Sequence, residues 1–339
     1  MGEQSGLSGF MAHGGGMKGL MQGWALMGLT VLELLRRPLC LLLAYGAATL
    51  VILSPLLAVF HFGEEGKMVR DTAFAVQLTF GLALAGYASA SVLDAAMRRG
   101  AALLVLSKPV GRTVFYLTRF LAVGVVVGLF SLAVAMAALV ANRVSERFGG
   151  GFVTDWQTGF IALGAMAAAL LAAAWLNYRM RRVFASDAFL FLLLALALAL
   201  ICAGCFDRHG QWAPFDVRVE WRLLPVNLLI AEALVLFAAL VLMLSARWFR
   251  QGGLALVAGG FWVAGWLADA LLDAPHAPAW RNAICQLLPN WQHFWVADML
   301  NKGGTVAWTY VGQATLYTLL YTAGLVLLGQ ALFKRREIR

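Results

Sequence analysis

Long apolar runs recur along the whole chain, with short polar segments between them. Eight of these runs have about 18 or more residues, enough to cross roughly 30 Å of hydrocarbon as helices. They lie at 38–60, 72–93, 115–141, 158–176, 188–205, 225–245, 254–272 and 307–333. The run FLFLLLALALALICAG does not alternate apolar and polar residues, as a transmembrane β-strand would. The pattern predicts an all-α integral membrane protein with about eight transmembrane helices.

The composition agrees with a membrane protein and excludes a soluble domain. Hydrophobic residues make up 62% of the chain and charged residues only 13%, against about a quarter in soluble domains. With the N- and C-termini cytoplasmic, most of the 26 Lys and Arg residues fall on the inner side, as the positive-inside rule requires. The net charge of +9 therefore reflects topology, and we expect no nucleic-acid partner.

The segment before the first span predicts an interfacial helix. A Gly-rich start, HGGGMKG, favours a flexible lead-in. Apolar residues then follow helical spacing from Met17 to Leu35, and Pro38 ends the helix. The alternative is an ordinary juxtamembrane extension. We divide the chain into 1–37 (lead-in and interfacial elbow helix), 38–333 (transmembrane domain, its first span an uncleaved anchor) and 334–339 (basic cytoplasmic tail).

A basic, proline-containing segment separates the second span from the third. It reads AALLVLSKPVGRTVFYLTRF, with Pro109 and Gly111 predicting a turn. Backbone that is not regular helix cannot lie in lipid, so the segment must lie at the inner surface or against protein. Its cations either hold the orientation of the chain or bind a partner.

Three segments resemble the membrane subunits of type-2 ABC exporters. Between the second and third spans stands RRGAALLVLSKPVGRTVFYLTRFLAV, similar to the family's loop, in which an lskPvsR pattern precedes the third helix. The end of the chain has LLPNWQHFWVADMLNKGG and a last span closed by FKRREIR, similar to the family's Pro-Asn turn and F-x-R-R-E tail. LELLRRPLC before the first span also fits. The similarity is scattered over about half of the chain.

The resemblance implies a permease subunit that works with a separate ATPase. In that family, the elbow helix and the first cytoplasmic loop rest on a cytoplasmic P-loop ATPase subunit. The chain itself has no G-x-x-x-x-G-K-[ST] motif, so we expect ATP on the partner and no cofactor or catalytic site here. The implied ATPase-coupling residues are Glu33, Arg36, Arg37, Arg98, Arg99, Lys108, Pro109 and Arg112.

The remaining implied partners are a second permease copy or a related permease and the lipid bilayer, in the bacterial cytoplasmic membrane. The chain departs from the family in two ways. The family commonly has six spans, which places an extra hairpin within 150–245. Tyr116-Leu117-Thr118-Arg119 stands where many relatives have a Gly-Lys pair, which leaves the role of Arg119 open.

Glu232 is the one acidic residue inside a predicted span. Ionisable groups there are costly and indicate a functional site by default, here a candidate for the translocation path. It could bind a cationic substrate, pair with an arginine, or be a structural, hydrogen-bonded group. It also supports an alternative function, a self-contained secondary transporter or a membrane scaffold, although the paired halves of many such transporters are not visible.

Other patterns carry weaker signals. Cys202 and Cys205 form a C-x-x-C that fits a redox pair, a metal site or, more simply, packed apolar cysteines. Gly124 and Gly128 form a G-x-x-x-G that fits packing within the subunit or dimerisation.

An aromatic cluster near the C-terminal end predicts an interfacial belt, with a substrate gate as the alternative. Its members are Trp280, Trp291, Phe294 and Trp295. No Ser/His/Asp or H-E-x-x-H constellation is visible, so we expect no enzyme activity on this chain.

Overall fold

The computed structural model describes residues 6–57, 65–98, 111–148, 151–206, 211–212, 214–215, 219–247, 251–268, 288–301 and 303–334. The described part is overwhelmingly helical, which confirms the predicted all-α class. Its helices are α1 (Gly6–Leu35), α2 (Pro38–Leu57), α3 (Glu65–Arg98), α4 (Arg112–Val144), α5 (Trp156–Met180), α6 (Phe184–Cys205), α7 (Leu223–Arg247), α8 (Gln251–Trp266), α9 (Ala297–Asn301) and α10 (Trp308–Lys334).

Seven of the described helices are long and apolar enough to cross a membrane: α2 to α7 and α10. They coincide with seven of the eight predicted spans. The remaining span, predicted at 254–272, is occupied by α8, a helix of 16 residues that falls short of that length. Many large apolar side chains face outward from the helices, among them Leu171, Leu256 and Leu320. This is the surface expected of helices surrounded by lipid, because lipid tails solvate apolar groups.

The two ends of the helical bundle can be told apart by their contacts. At one end, Arg112 at the start of α4 donates a hydrogen bond of 3.0 Å to the Lys334 carbonyl at the end of α10. At the other, Glu220 before α7 accepts a bond of 2.6 Å from Asn142 in the last turns of α4. Glu220 also lies 3.8 Å from Arg70, near the start of α3. We call these the Arg112 end and the Glu220 end.

The centre of the bundle is formed by α4 and α7, the two spanning helices with the largest buried share. Polar side chains link α3 to α7 at two depths. Gln77 donates to the Asn227 carbonyl at 3.0 Å, and Ser89 donates to the Ala238 carbonyl at 3.0 Å. In hydrocarbon such groups have no water to bond, so pairing them with a neighbouring backbone holds two helices in register.

The structure differs from what the sequence suggested in two places, near the N-terminus and after α4. The Gly-rich start was expected to be flexible, but α1 is continuous from Gly6 through HGGGMKG to Leu35. A two-stranded antiparallel hairpin, Ser145–Phe148 with Gly151–Thr154, follows α4 and was not predicted. It brings Asp155 onto the first turn of α5, where its carboxylate accepts from the Thr158 amide at 3.1 Å. This bond caps the helix.

The segment after α7 returns along the bundle. α7 and α10 both end toward the Arg112 end, since Met243 and Gly329 lie beside each other next to Tyr116. The chain between them therefore passes back toward the Glu220 end. α8 makes the first part of this return, and the segment after residue 287 continues it beside Tyr317, whose hydroxyl accepts from the Asn290 amide at 3.1 Å.

The prediction of an interfacial aromatic belt is wrong for Trp291 and Phe294, which are 1% and 2% exposed. The Asn290 carboxamide accepts from the Gln292 amide, and a one-turn 3-10 helix, Trp291–Phe294, folds the segment back into the bundle. The centroid of the Trp291 ring then lies 4.4 Å from the centroid of the Trp262 ring of α8. Trp295 is partly buried, and Trp280 lies outside the described residues.

Gly265 is required where α8 meets this turn. A Cβ placed at Gly265 would overlap the Pro289 carbonyl oxygen and the Trp291 indole nitrogen, whereas one at Gly260 would meet nothing within 4 Å. We expect Gly265→Ala to cost about 1–3 kcal/mol through overpacking. Gly260→Ala, the matched control, should be neutral or stabilising by up to about 1 kcal/mol because alanine favours helix. Unfolding midpoints of the detergent-solubilised variants, followed by tryptophan fluorescence, measure both; equal midpoints would contradict this packing.

Candidate functional site

The elbow between α1 and α2 is a sharp turn with charged residues on it. α1 ends at Leu35, and Pro38 begins α2, where a missing N–H costs nothing because the first turn of a helix leaves its amides unpaired. The Arg37 guanidinium lies 3.4 Å from the Glu33 carboxylate one turn earlier. The turn therefore confirms the predicted helix break at Pro38.

Arg119 of α4 completes this arrangement from the neighbouring helix. It is 8% exposed and donates a hydrogen bond of 2.9 Å to the Thr30 hydroxyl of α1. Its guanidinium lies 3.6 Å from the Glu33 carboxylate and 5.0 Å from the centroid of the Phe115 ring. We call Thr30, Glu33, Arg37 and Arg119 the elbow cluster. It answers the open question about Arg119, which ties α1 to the third span.

The energy of the elbow cluster is concentrated on Arg119. Two guanidinium groups share the Glu33 carboxylate, while the Thr30 hydroxyl donates a hydrogen bond of 2.7 Å to the Leu26 carbonyl. Hydrogen bonds to charged groups contribute about 1.5–3 kcal/mol each when solvent is excluded. Glu33 keeps a third of its side-chain surface exposed, so the pair with Arg37 contributes less than the buried bond from Arg119.

The other predicted coupling residues fall into three groups. Arg36 and Arg112 are exposed at the Arg112 end. Arg98 is the last residue of α3, and its side chain is not described. Arg99, Lys108 and Pro109 lie outside the described residues.

Near Arg112, the start of α4 is also joined to the end of α10. Gln330 donates to the Thr113 hydroxyl at 2.7 Å, and the rings of Phe115 and Phe333 stack at 6.0 Å. Together with the bond from Arg112 to the Lys334 carbonyl, these contacts fix α10 against α4. The elbow cluster and the end of the last span therefore meet on the same helix, α4.

Glu232 lies on α7 and faces α10. One carboxylate oxygen accepts a hydrogen bond of 2.5 Å from the Thr315 hydroxyl. The other, Oε2, is buried and has no hydrogen-bond partner among the described residues. No arginine of the described part forms an ion pair with it, so the suggested Arg pairing is not seen there.

Hydroxyl groups continue along α10 from this carboxylate. Thr315, Thr318 and Thr322 lie on one face of the helix by their spacing of three and four residues. The Thr318 and Thr322 side chains are buried, and their hydroxyls have no partner within the described residues. Farther toward the Arg112 end, the Tyr116 hydroxyl closes against Gly329, also without a partner in the described part. We call these groups and Glu232 the polar stripe.

The polar stripe was only partly predictable. Glu232 was found from its charge within a span, whereas threonines are common in membrane helices and gave no signal of their own. Unpaired polar groups in an apolar interior cost roughly 1–3 kcal/mol each by mutational measures. Several on one line indicate a place where a polar or charged species binds or passes.

Cys202 and Cys205 carry free thiols, the first exposed and the second half-buried. Within the described residues, no three metal-ligating side chains come together. The G-x-x-x-G of α4 faces outward: a Cβ at Gly124 or Gly128 would meet nothing within 4 Å. Packing inside the described part of the subunit therefore does not use these two glycines.

The docking of α1 on α4 can be measured by cross-linking. A Cβ at Gly23 would lie 3.6 Å from a methyl group of Val114, so Gly23→Cys and Val114→Cys should form a disulfide when the native cysteines are replaced. Arg119→Gln should lower the yield, because the neutral amide loses the bond to Thr30 and the pair with Glu33. Arg112→Gln, in the same helix but outside the elbow cluster, should not. An unchanged disulfide yield in Arg119→Gln would mean that apolar contacts alone hold α1 against α4.

Comparison with known proteins does not extend the family resemblance. No family model matches the chain, and no curated protein matches it significantly. The functional argument therefore depends on the motifs of the sequence and on the geometry described above.

Proposed function

We propose that this chain is the transmembrane permease subunit of an ATP-binding cassette transporter, an exporter of the bacterial cytoplasmic membrane. It pairs with a second copy or a related permease, and the translocation pathway forms between the two. ATP is bound and hydrolysed by a separate cytoplasmic P-loop ATPase subunit. Closure of the ATPase is passed to the spans through the elbow helix and the loop before α4.

The elbow cluster is the observation that carries this proposal. The family resemblance assigns docking to the elbow helix and to the loop that enters the third span. Arg119, on the helix that this loop enters, joins α4 to the elbow helix through Thr30 and Glu33. A displacement of α1 would therefore act on α4, and through Thr113 and Gln330 on α10. A purely topogenic loop would need no such connection.

The proposed topology places the Arg112 end in the cytoplasm. Arg36 and Arg112 are exposed there, which fits the positive-inside rule, and they are the described residues best placed to contact an ATPase. The return of the chain between α7 and α10 serves as the eighth crossing, with α8 forming its cytoplasmic half. The elbow and residue 334 then lie on the same side of the membrane.

The outward face of α4 supports a second permease copy. Gly124 and Gly128 leave open space, and Leu121 and Leu132 beside them are about half exposed. Small residues let two helices approach closely in lipid, where packing replaces the hydrophobic driving force. We place the contact between the two permeases on this face.

The proposal is tested by purifying the chain from native membranes in mild detergent and identifying stoichiometric partners by mass spectrometry. We expect a P-loop ATPase at about one copy per permease, as the proposed assembly of two permeases and two ATPases requires. Arg112→Glu should lose most of the bound ATPase or uncouple its hydrolysis from transport. Arg179→Glu, an equal charge change at an exposed position at the end of α5, should keep both.

Recovery of the chain without any ATPase would overturn the proposal. If Arg112→Glu keeps a wild-type amount of coupled ATPase, the ATPase partner still stands, but Arg112 is not part of its docking surface. Equal losses in the Arg112 and Arg179 variants would indicate a general charge effect at this end of the bundle.

The polar stripe favours a second candidate function, a self-contained secondary transporter that uses Glu232. The test is proton flux into proteoliposomes that contain the chain alone, with a membrane potential set by potassium and valinomycin and a trapped pH dye. Under the ABC proposal we expect no flux above empty vesicles. Flux that disappears in Glu232→Gln, whose amide oxygen still accepts from Thr315, would establish the second candidate instead.

A further inference from the structure

A cavity of about 460 Å³ lies between α3, α7 and α8, apart from the elbow cluster and the polar stripe. Its walls are small or apolar side chains, including Gly86 and Ala90 of α3 and Ala258 and Gly259 of α8. Trp262 also lines it, and it is partly open to the outside. Its volume is in the range of about 300–1,000 Å³ found for small-molecule sites.

An empty cavity of this size does not fit the rest of the bundle. Protein interiors are packed with few voids larger than a water molecule. Water is a poor occupant, because an apolar cavity offers too few hydrogen-bond partners to hold it. The Ser91 hydroxyl on the wall already donates to the Ala88 carbonyl at 3.1 Å. An apolar occupant therefore fits this partly open cavity better than water does, and lipid tails are the apolar groups expected around membrane-spanning helices.

A cation lies beside one wall of the cavity. The Arg37 guanidinium carbon lies 5.8 Å from the centroid of the Tyr87 ring, and Tyr87 lines the cavity. Arg36 beside it is exposed. An apolar chamber and the Arg37 cation therefore lie on either side of Tyr87, an arrangement complementary to an amphiphile with an anionic head group.

We propose that this cavity binds one acyl chain of an anionic phospholipid, with the phosphate at the level of Arg37. The acyl chain of the lipid lies along Gly86 and Gly259, next to Trp262. A helix of a second copy does not fit, because three helices enclose the space and a helix with its side chains is about 10 Å wide. This inference is independent of the transport function proposed above, since it depends only on the cavity and on Arg37 beside it.

The occupant can be trapped by photolabelling. The full-length protein, with any subunits that co-purify, is reconstituted with phosphatidylglycerol that carries a diazirine in one acyl chain, irradiated, digested and analysed by mass spectrometry. We expect labels on residues 82–91 and 254–262. Gly259→Leu should lower them about tenfold, because its side chain takes the place of a few acyl carbons.

Gly260→Leu is the matched control, since Gly260 is the next residue of α8 but does not line the cavity. A Cβ at either Gly259 or Gly260 would meet no atom within 4 Å. It should label like the wild type. Arg37→Gln should lower labelling by phosphatidylglycerol about fivefold relative to a phosphatidylcholine analogue, the loss expected for one cation near anionic lipid.

Four results would overturn the proposal. Unchanged labelling in Gly259→Leu would show that the lipid does not enter the cavity. An equal loss in Gly260→Leu would show that the label reports the fold of α8. A cavity region that stays unlabelled in the wild type, while other parts of the helices are labelled, would show that lipid does not reach it. No preference for the anionic lipid in the wild type would remove the role of Arg37.

Discussion

Polar groups that leave water must find partners within the protein, and the rest of this structure depends on that constraint. It makes every span a helix, since only a helix pairs its own backbone in lipid. It also decides how the helices are joined. Gln77 and Ser89 bond to carbonyls of α7, and Arg119 bonds to the Thr30 hydroxyl of α1. Each of these three side chains is a specific link between two helices.

The same constraint marks the places where function is expected. The second oxygen of Glu232 and the hydroxyls of Thr318 and Thr322 are buried without a partner in the described part of the chain. Each of these unpaired groups carries a desolvation cost, and the three lie on one line. The line runs between α7 and α10 toward the Tyr116 hydroxyl and the Arg112 end, where α10 is held to α4. A movement of α4 would therefore change the surroundings of the polar stripe.

Arg37 of the elbow cluster lies beside a wall of the cavity between α3, α7 and α8. Its guanidinium pairs with Glu33 on one side and lies over Tyr87, a wall of the cavity, on the other. An anionic lipid at this position would compete with Glu33 for the same cation. The proposed docking of α1 would then be sensitive to the lipid composition of the membrane, although the two proposals are tested separately.

Hydropathy alone determined most of the architecture. Seven spans and the break at Pro38 follow from residues that are neighbours in the sequence, because the length of an apolar run and the geometry of proline are local properties. Tertiary structure decided the rest. The return of Trp291 into the core, the place of Gly265, the shortness of α8, and the partners of Arg119 and Glu232 all depend on contacts between distant segments. A sequence shows that a polar group is in a span, but only packing determines which group it meets.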